Sequence, residues 1–400
     1  MVLRFLGTSA DSSSLVPLLT SICQQISIFY DLSCDTIPSY PSSLIAHFKS
    51  LLERATPDRP LMLFLDSLDQ LSAEDGAHQL AWLPTTLPLN CKMVVSTLPN
   101  HACIMETFRK MVDNPDNYVL VTPLGQNLGS AIIRSWLEDA RRTVTDGQWT
   151  IVQQALERCN LPLYVKLVFD EICSWHSYSP RQTTVLVHTI HDCIAKLLDR
   201  IEGQHGRILV SHALGYITAS KGGLSEAELE DLLSLDEKVL NDVYQYHVPP
   251  VRRIPPLLWT RIRNDLPHYF CEREADGVTV INWYHRQFVE ASVERYFRNL
   301  NFVEETHSLL ADYFLGVWGG GKEKPFQYTE LQRQRFGLES SRGTGDRKVP
   351  EQPLHFVHLN AGSVVRYNLR KLSELPHHLV RAHRHDELYR VSSPLCSTLL

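Results

Sequence analysis

The chain has 400 residues, 44% of them hydrophobic and 21% charged, with a formal net charge of −6. That length exceeds one small domain, and so much apolar sequence builds sizeable cores and excludes a disordered chain. The acidic balance excludes a nucleic-acid sheath or an anionic membrane surface as the default partner.

The first residues, VLRFL, read as a short buried strand, and a Ser-rich turn leads into a helix. In that helix Leu15, Leu18, Leu19, Ile22, Cys23 and Ile26 recur at helical spacing. A Pro/Ser stretch at 37–43 precedes a second amphipathic helix that ends near Arg54. PLMLFLDSLDQLS then places five apolar residues ahead of an acid. Such a continuous run is expected of a strand buried on both faces, hence of a parallel sheet flanked by helices. CKMVVSTLP (91–99) and YVLVTPL (118–124) repeat the pattern, so the first 125 residues read as an α/β layer.

Residues 126–200 are helical in period, broken at Asn160-Leu161-Pro162, and read as a small helical subdomain. In Gly223-Leu224-Ser225-Glu226-Ala227-Glu228 the spacing of Ser225 and Glu228 is that of a capping box. Two further helices and two strands around Asp276-Gly277, a type I′ hairpin signal, complete a winged-helix pattern over 201–292. One long helix is expected from His285 into Phe314, covering the connecting segment 293–318. Residues 319–352, rich in Gly, Lys and Arg, read as a mobile linker, and 353–400 return to helical hairpins.

Asp66 is the leading chemical candidate. An acid at the C-terminal end of a buried parallel strand sits where ligands bind in open α/β sheets, and its carboxylate can hold Mg²⁺. Ser67 keeps the neighbouring position small, and Asp69 or Gln70 is placed to orient an attacking water. The competing reading is that Asp66 only caps the following turn.

This strand and its DSLDQL continuation resemble the Walker B segment of STAND-class P-loop NTPases of the NACHT type, which have an acid, a small residue and a second acid three positions on. Asp66, Ser67 and Asp69 match; Gln70 stands where a Glu is usual, which implies slow turnover. Residues 91–99 resemble the sensor 1 strand, with Ser96 and Thr97 placed to bond a phosphate and Leu98 where an Arg is common. Pro162 lies where the helical lid of the family carries a turn against adenine. Tyr284-His285-Arg286-Gln287-Phe288-Val289-Glu290 resembles the winged-helix motif whose His contacts the β-phosphate of ADP. For His285 the bland alternative is a packed histidine at a strand–helix junction. Taken together the chain resembles NACHT- and WD-repeat-containing proteins over roughly residues 2–388. The resemblance implies ATP/ADP and Mg²⁺ as ligands, protein partners and self-association through the NACHT region.

Two family features are absent from the 400 residues. No GH…WD repeats occur, so no propeller is encoded here. No GxxxxGK[ST] loop occurs either; Gly316-Val317-Trp318-Gly319-Gly320-Gly321-Lys322 is followed by Glu323 and follows a helix, so it reads as a flexible turn. By the resemblance, a P-loop strand lies just ahead of the first strand in sequence and between the strands of Asp66 and Ser96 in space. Its loss implies exposed strand edges, a first domain that does not fold stably alone, and no tight ATP binding. The ending from Val391 leaves the helical pattern, as an alternative C-terminus would.

Three other readings compete. Arg252, Arg253, Arg261 and Arg263 cluster on the winged helix as DNA-phosphate contacts do, although an acidic chain makes nucleic acid the minor alternative. His377, His378, His383 and His385 form a zinc-like cluster without Cys, expected as surface histidine on an exposed helix. A protein-interaction fragment without nucleotide chemistry is the last. Nine scattered cysteines without a CxxC pair fit reduced core thiols, and no apolar run reaches the ~20 residues of a membrane span, so a cytoplasmic protein without a membrane partner is expected.

Overall fold

A computed structural model describes all residues except 8–10, 73, 100–101, 181, 248, 341, 358–364 and 399–400. Contacts divide the chain into two units, Met1–Val121 and Thr122–Leu400.

The first unit holds β1 (Val2–Phe5), α1 (Leu15–Phe29), α2 (Pro41–Leu52), β2 (Leu61–Asp66), β3 (Cys91–Val95) and α3 (Ala102–Met111). The strands form one parallel sheet in the order β1-β2-β3, with Leu63 opposite Val2 and Leu61 opposite Cys91. Leu18, Ile22 and Ile26 of α1, Leu44 and Phe48 of α2 and Trp82 share one core with Leu61, Leu63 and Leu65.

Three expectations fail here. First, β2 is not buried on both faces: its residues alternate, with Leu61, Leu63 and Leu65 buried and Met62 40% exposed. The row Leu3–Phe64–Val94 runs across the uncovered face, and Leu3 and Val94 are 42% and 51% exposed. Second, β2 pairs directly with β3, so no gap separates the strands of Asp66 and Ser96. The expected open edges on β2 do not exist; among the described residues the sheet ends at β1 and β3. Third, residues 118–121 form no strand, and Val119, Leu120 and Val121 are 75–89% exposed. An apolar run becomes a strand only beside a neighbour that satisfies its N–H and C=O groups.

An apolar sheet face in water promotes association. Leu3→Lys with Val94→Lys is therefore expected to reduce light scattering and dye binding of the chain while its melting temperature changes little. Unchanged association would show that this face is not the adhesive surface.

The second unit begins with α4 (Gln126–Asp139), α5 (Asp146–Arg158), α6 (Pro162–Cys173) and α7 (Ile190–His205), packed through Ile133, Val152, Leu156, Tyr164, Val168 and Ile194. It continues through α8 (Arg207–Ala219), α9 (Glu226–Leu235), α10 (Glu237–Val243), α11 (Pro256–Asn264) and the hairpin β4 (Phe270–Ala275) and β5 (Val278–Trp283). The Ser225–Glu228 capping box is present in both directions. Asp276 and Gly277 take φ of 54° and 80°, the positive pair that a type I′ turn requires. Beyond the hairpin come α12 (Arg286–Tyr296) and α13 (Leu300–Leu315). The expected single helix is two, because Phe297 closes the first and the Asn299 side chain caps the second.

The stretch expected as a linker carries β6 (Lys324–Gln327), α14 (Glu330–Phe336) and β7 (Arg342–Arg347). Phe326 and Arg347 are both fully buried there, and Arg347 donates to Glu237 Oε1 and Pro325 O at 2.5 Å each. One apolar and one paired basic side chain suffice to anchor a hairpin whose composition is otherwise polar. A short hairpin of β8 (His355–Val357) and β9 (Val365–Tyr367) precedes α15 (Leu369–Arg381) and α16 (His385–Thr398). α15 packs along α13. Between them burial pushes the His307 ring down to about 3 and the His377 ring down to about 4, so both imidazoles are neutral at physiological pH.

Candidate functional site

β2 delivers Asp66 to the C-terminal end of the central strand, where the carboxylate is exposed. Ser67 follows in the left-handed conformation, φ 66° and ψ 59°, which turns the chain sharply off the strand. The turn is tied to the end of β3: Leu68 N donates to Ser96 O at 2.9 Å, and Ser96 N donates to Leu65 O at 3.0 Å. The Ser96 hydroxyl then accepts from Ser67 N at 2.7 Å and donates to Asp66 Oδ1 at 2.5 Å. This fixes one carboxylate oxygen and leaves Oδ2 available to a ligand.

Asp69 has a different task. Its Oδ1 accepts from Leu98 N at 3.1 Å and its Oδ2 from Gln70 Nε2 at 2.9 Å. It holds the loop after β3 rather than standing ready as a base. Gly7, at φ +73°, lets the loop after β1 approach Gln70; a Cβ there would lie 2.4 Å from the Gln70 Cβ. Thr97 Oγ1 is buried and, unlike the Ser96 hydroxyl, has no hydrogen-bond partner among the described residues. Asp66, Asp69, Gln70, Ser96 and Thr97 are therefore brought together at one sheet end.

Pro162 and His285 belong to the second unit. Pro162 is exposed at the first position of α6, where its fixed φ starts a helix without losing a needed N–H. His285 is the N-cap of α12: Nδ1 accepts from Gln287 N at 3.2 Å. That bond places the ring proton on Nε2. Burial first, and the Arg286 charge second, hold its pKa below the usual histidine range against the pull of Glu290, so the ring is neutral.

Most of the other sequence candidates serve the fold. Gly316 closes α13 in the left-handed conformation, so the near-P-loop is a helix C-cap and turn. Arg253 pairs with Asp231, Arg263 with Glu226 and Glu272, and Arg252 donates to the Tyr328 hydroxyl at 2.6 Å. Three of the four arginines are thus engaged within the unit, and Arg261 is exposed. The four histidines of the C-terminal segment are not all at the surface: His378 is fully buried, because its position on α15 faces α13. A cleft of about 550 Å³ lies between α7, α8 and α12, but its charged lining residues already pair with one another, Glu202 with Arg295 and Arg207 and Glu294 with Arg298.

Residues 181–304 match the family model described as an NWD1-like, winged helix-turn-helix domain, which defines the class of fold built around β4 and β5. The chain is homologous along nearly its whole length to the NACHT and WD repeat domain-containing proteins. It is 36% identical over 405 residues to human (Homo sapiens) NACHT and WD repeat domain-containing protein 2, covering 97% of this chain and 23% of that protein. It is 37% identical over 394 residues to human NACHT domain- and WD repeat-containing protein 1, covering 97% of this chain and 24% of that protein. The mouse (Mus musculus) protein 2 is 35% identical over 405 residues, with the same coverage of 97% and 23%. The chain therefore spans about a quarter of the length of the curated relatives it matches. No helix among the described residues is long and apolar enough to cross a membrane.

Proposed function

We propose that this chain is the acid-bearing part of an ATP/ADP-dependent switch within a cytoplasmic signalling scaffold. The observation that carries the reading is the Ser67 N–Ser96–Asp66 bond series at the end of the central parallel strand, which pre-orients one carboxylate with its second oxygen free. A carboxylate held this way suits Mg²⁺, which takes one or two protein oxygens and keeps several waters. Of the two hydroxyls proposed to bond a phosphate, that of Ser96 is committed to Asp66, and that of Thr97, buried and without a partner among the described residues, would have to turn outward to reach one. His285 offers only Nε2–H to a β-phosphate, because Nδ1 caps α12. Asp69 and Gln70 organise the loop, and Pro162 borders the adenine by family resemblance.

Without a phosphate-cradling lysine in its 400 residues, the chain itself binds Mg·ATP weakly. Its melting temperature is expected to stay unchanged in millimolar Mg·ATP or Mg·ADP. A version lengthened ahead of Val2 by a strand and a GxxxxGK[ST] loop is expected to be stabilised by nucleotide, as binding to the native state alone requires, and Asp66→Asn should abolish that gain. No nucleotide response in the lengthened chain would sink the switch.

The second reading is a protein-interaction fragment, favoured by the apolar face around Leu3, Met62 and Val94. It predicts partner capture and self-association that are indifferent to nucleotide. The described cysteines are free thiols, as a reducing compartment maintains them.

A further inference from the structure

His307 of α13 and His377 and His378 of α15 converge on one point in the second unit. One ring nitrogen from each lies within 4.8 Å of the other two. His307 and His378 are 5% and 0% exposed, and their Nδ1 atoms face each other at 2.9 Å. Nitrogen ligands around a tetrahedral zinc at 2.0–2.1 Å stand about 3.3 Å apart. The His307–His378 pair stands at 2.9 Å and all three nitrogens lie within 4.8 Å of one another, which puts the set within side-chain adjustment of that spacing.

The surrounding bonds are those that prepare imidazoles as ligands. A metal-binding histidine usually donates its other N–H to a carboxylate or a backbone carbonyl, which fixes the tautomer. His378 Nε2 lies 3.2 Å from Glu374 Oε2, so Nδ1 is the nitrogen left for a metal. Glu374 is itself fixed: it accepts from Lys221 N at 2.9 Å and Gly222 N at 2.8 Å, and from Arg370 Nη1 at 3.1 Å. His377 is hydrogen-bonded to the backbone at Ala219. The Glu374 carboxylate also supplies negative charge close to an incoming dication. Phe314, stacked 6.1 Å from the His378 ring, adds an apolar wall.

We infer that His307, His377 and His378 form a three-histidine site for a divalent transition metal of the zinc class, which clamps α15 to α13. A water or a small anion would complete the coordination, since imidazole suits zinc, copper and nickel and three ligands leave one position. His383 and His385 take no part: their rings pair with each other at 6.1 Å beyond the end of α15. The alternative for the same geometry is a metal-free relay, in which His307 Nδ1–H donates to His378 Nδ1 and His378 Nε2–H donates to Glu374.

The experiment uses the whole chain, thiols alkylated, stripped with chelator and then titrated with ZnCl₂ or CoCl₂ alone. The site requires about one metal per chain after gel filtration, visible d–d bands of low-symmetry Co²⁺, and a melting temperature raised by roughly 5 °C or more in saturating Zn²⁺. Both His307→Gln and His377→Ala should lose the bands and the shift; the half-buried His377 serves where the buried His307 variant does not fold. His383→Ala with His385→Ala should retain them. Failure to retain any metal, or retention undiminished in folded His377→Ala, would overturn the site and leave the relay.

Discussion

Arg370→Met is expected to cost the second unit about 3–5 kcal/mol, the loss found when one partner of a buried ion pair is removed and the other stays. Arg370 is 5% exposed and donates to both oxygens of Glu228 at 3.0 Å and to Glu374 Oε1 at 3.1 Å. Glu374 is fully buried: burial raises its pKa, but the His378 bond, the Arg370 charge and the Lys221 N–H outweigh burial and hold it at about 2. Removing the guanidinium leaves two carboxylates in a poorly solvated space with one fewer partner each. Urea unfolding followed by tryptophan fluorescence reads this unit, because six of the seven tryptophans lie in it and only Trp82 lies in the first. Adding Glu228→Gln should recover part of the loss, as coupled neighbours do. A cost below about 1 kcal/mol would show that the network is peripheral.

Gly223→Ala should destabilise the same unit by about 2–4 kcal/mol through a separate cause, backbone strain added to a clash. Gly223 has φ +95°, and a Cβ there would lie 2.7 Å from Ile281 O. That carbonyl cannot retreat freely, since Leu224 N donates to it at 3.2 Å and Ile281 N donates back to Leu224 O at 2.7 Å. This bridge fastens the wing to the helices of the winged-helix fold. Gly147, in the first turn of α5, would place an added methyl group with nothing within 4 Å, and its φ is not positive. Gly147→Ala is therefore expected to be neutral or to add up to about 1 kcal/mol. Equal effects at the two glycines would remove the argument for the bridge.

The features legible in the sequence share one property: their signals are local. Ser225 and Glu228 form their capping box within one helical turn, and Asp276-Gly277 makes its hairpin from the two residues that name it. The acid after five apolar residues placed Asp66 at the strand end for the same reason. The misses also share a cause. The run at 118–121 looks like a strand, yet strands need neighbours. The apolar residues of β2 give no sign of which face the chain covers. The polar stretch at 319–352 conceals Phe326 and Arg347, and the partners of the buried Arg347, Glu237 and Ser234, lie far upstream.

The sequence by itself determined the likeness to the NACHT and WD repeat proteins, the winged helix and the position of the strand that ends in Asp66, because motifs, turn residues and periodicity are written in adjacent positions. Tertiary structure alone decided the direct pairing of β2 with β3, the bond from Ser96 to Asp66, the partner of Arg370 and the meeting of His307 with His378. Those contacts join residues 30 to 142 positions apart. Pairing at such separations is fixed by the packing of whole elements, and no short window of sequence contains both partners.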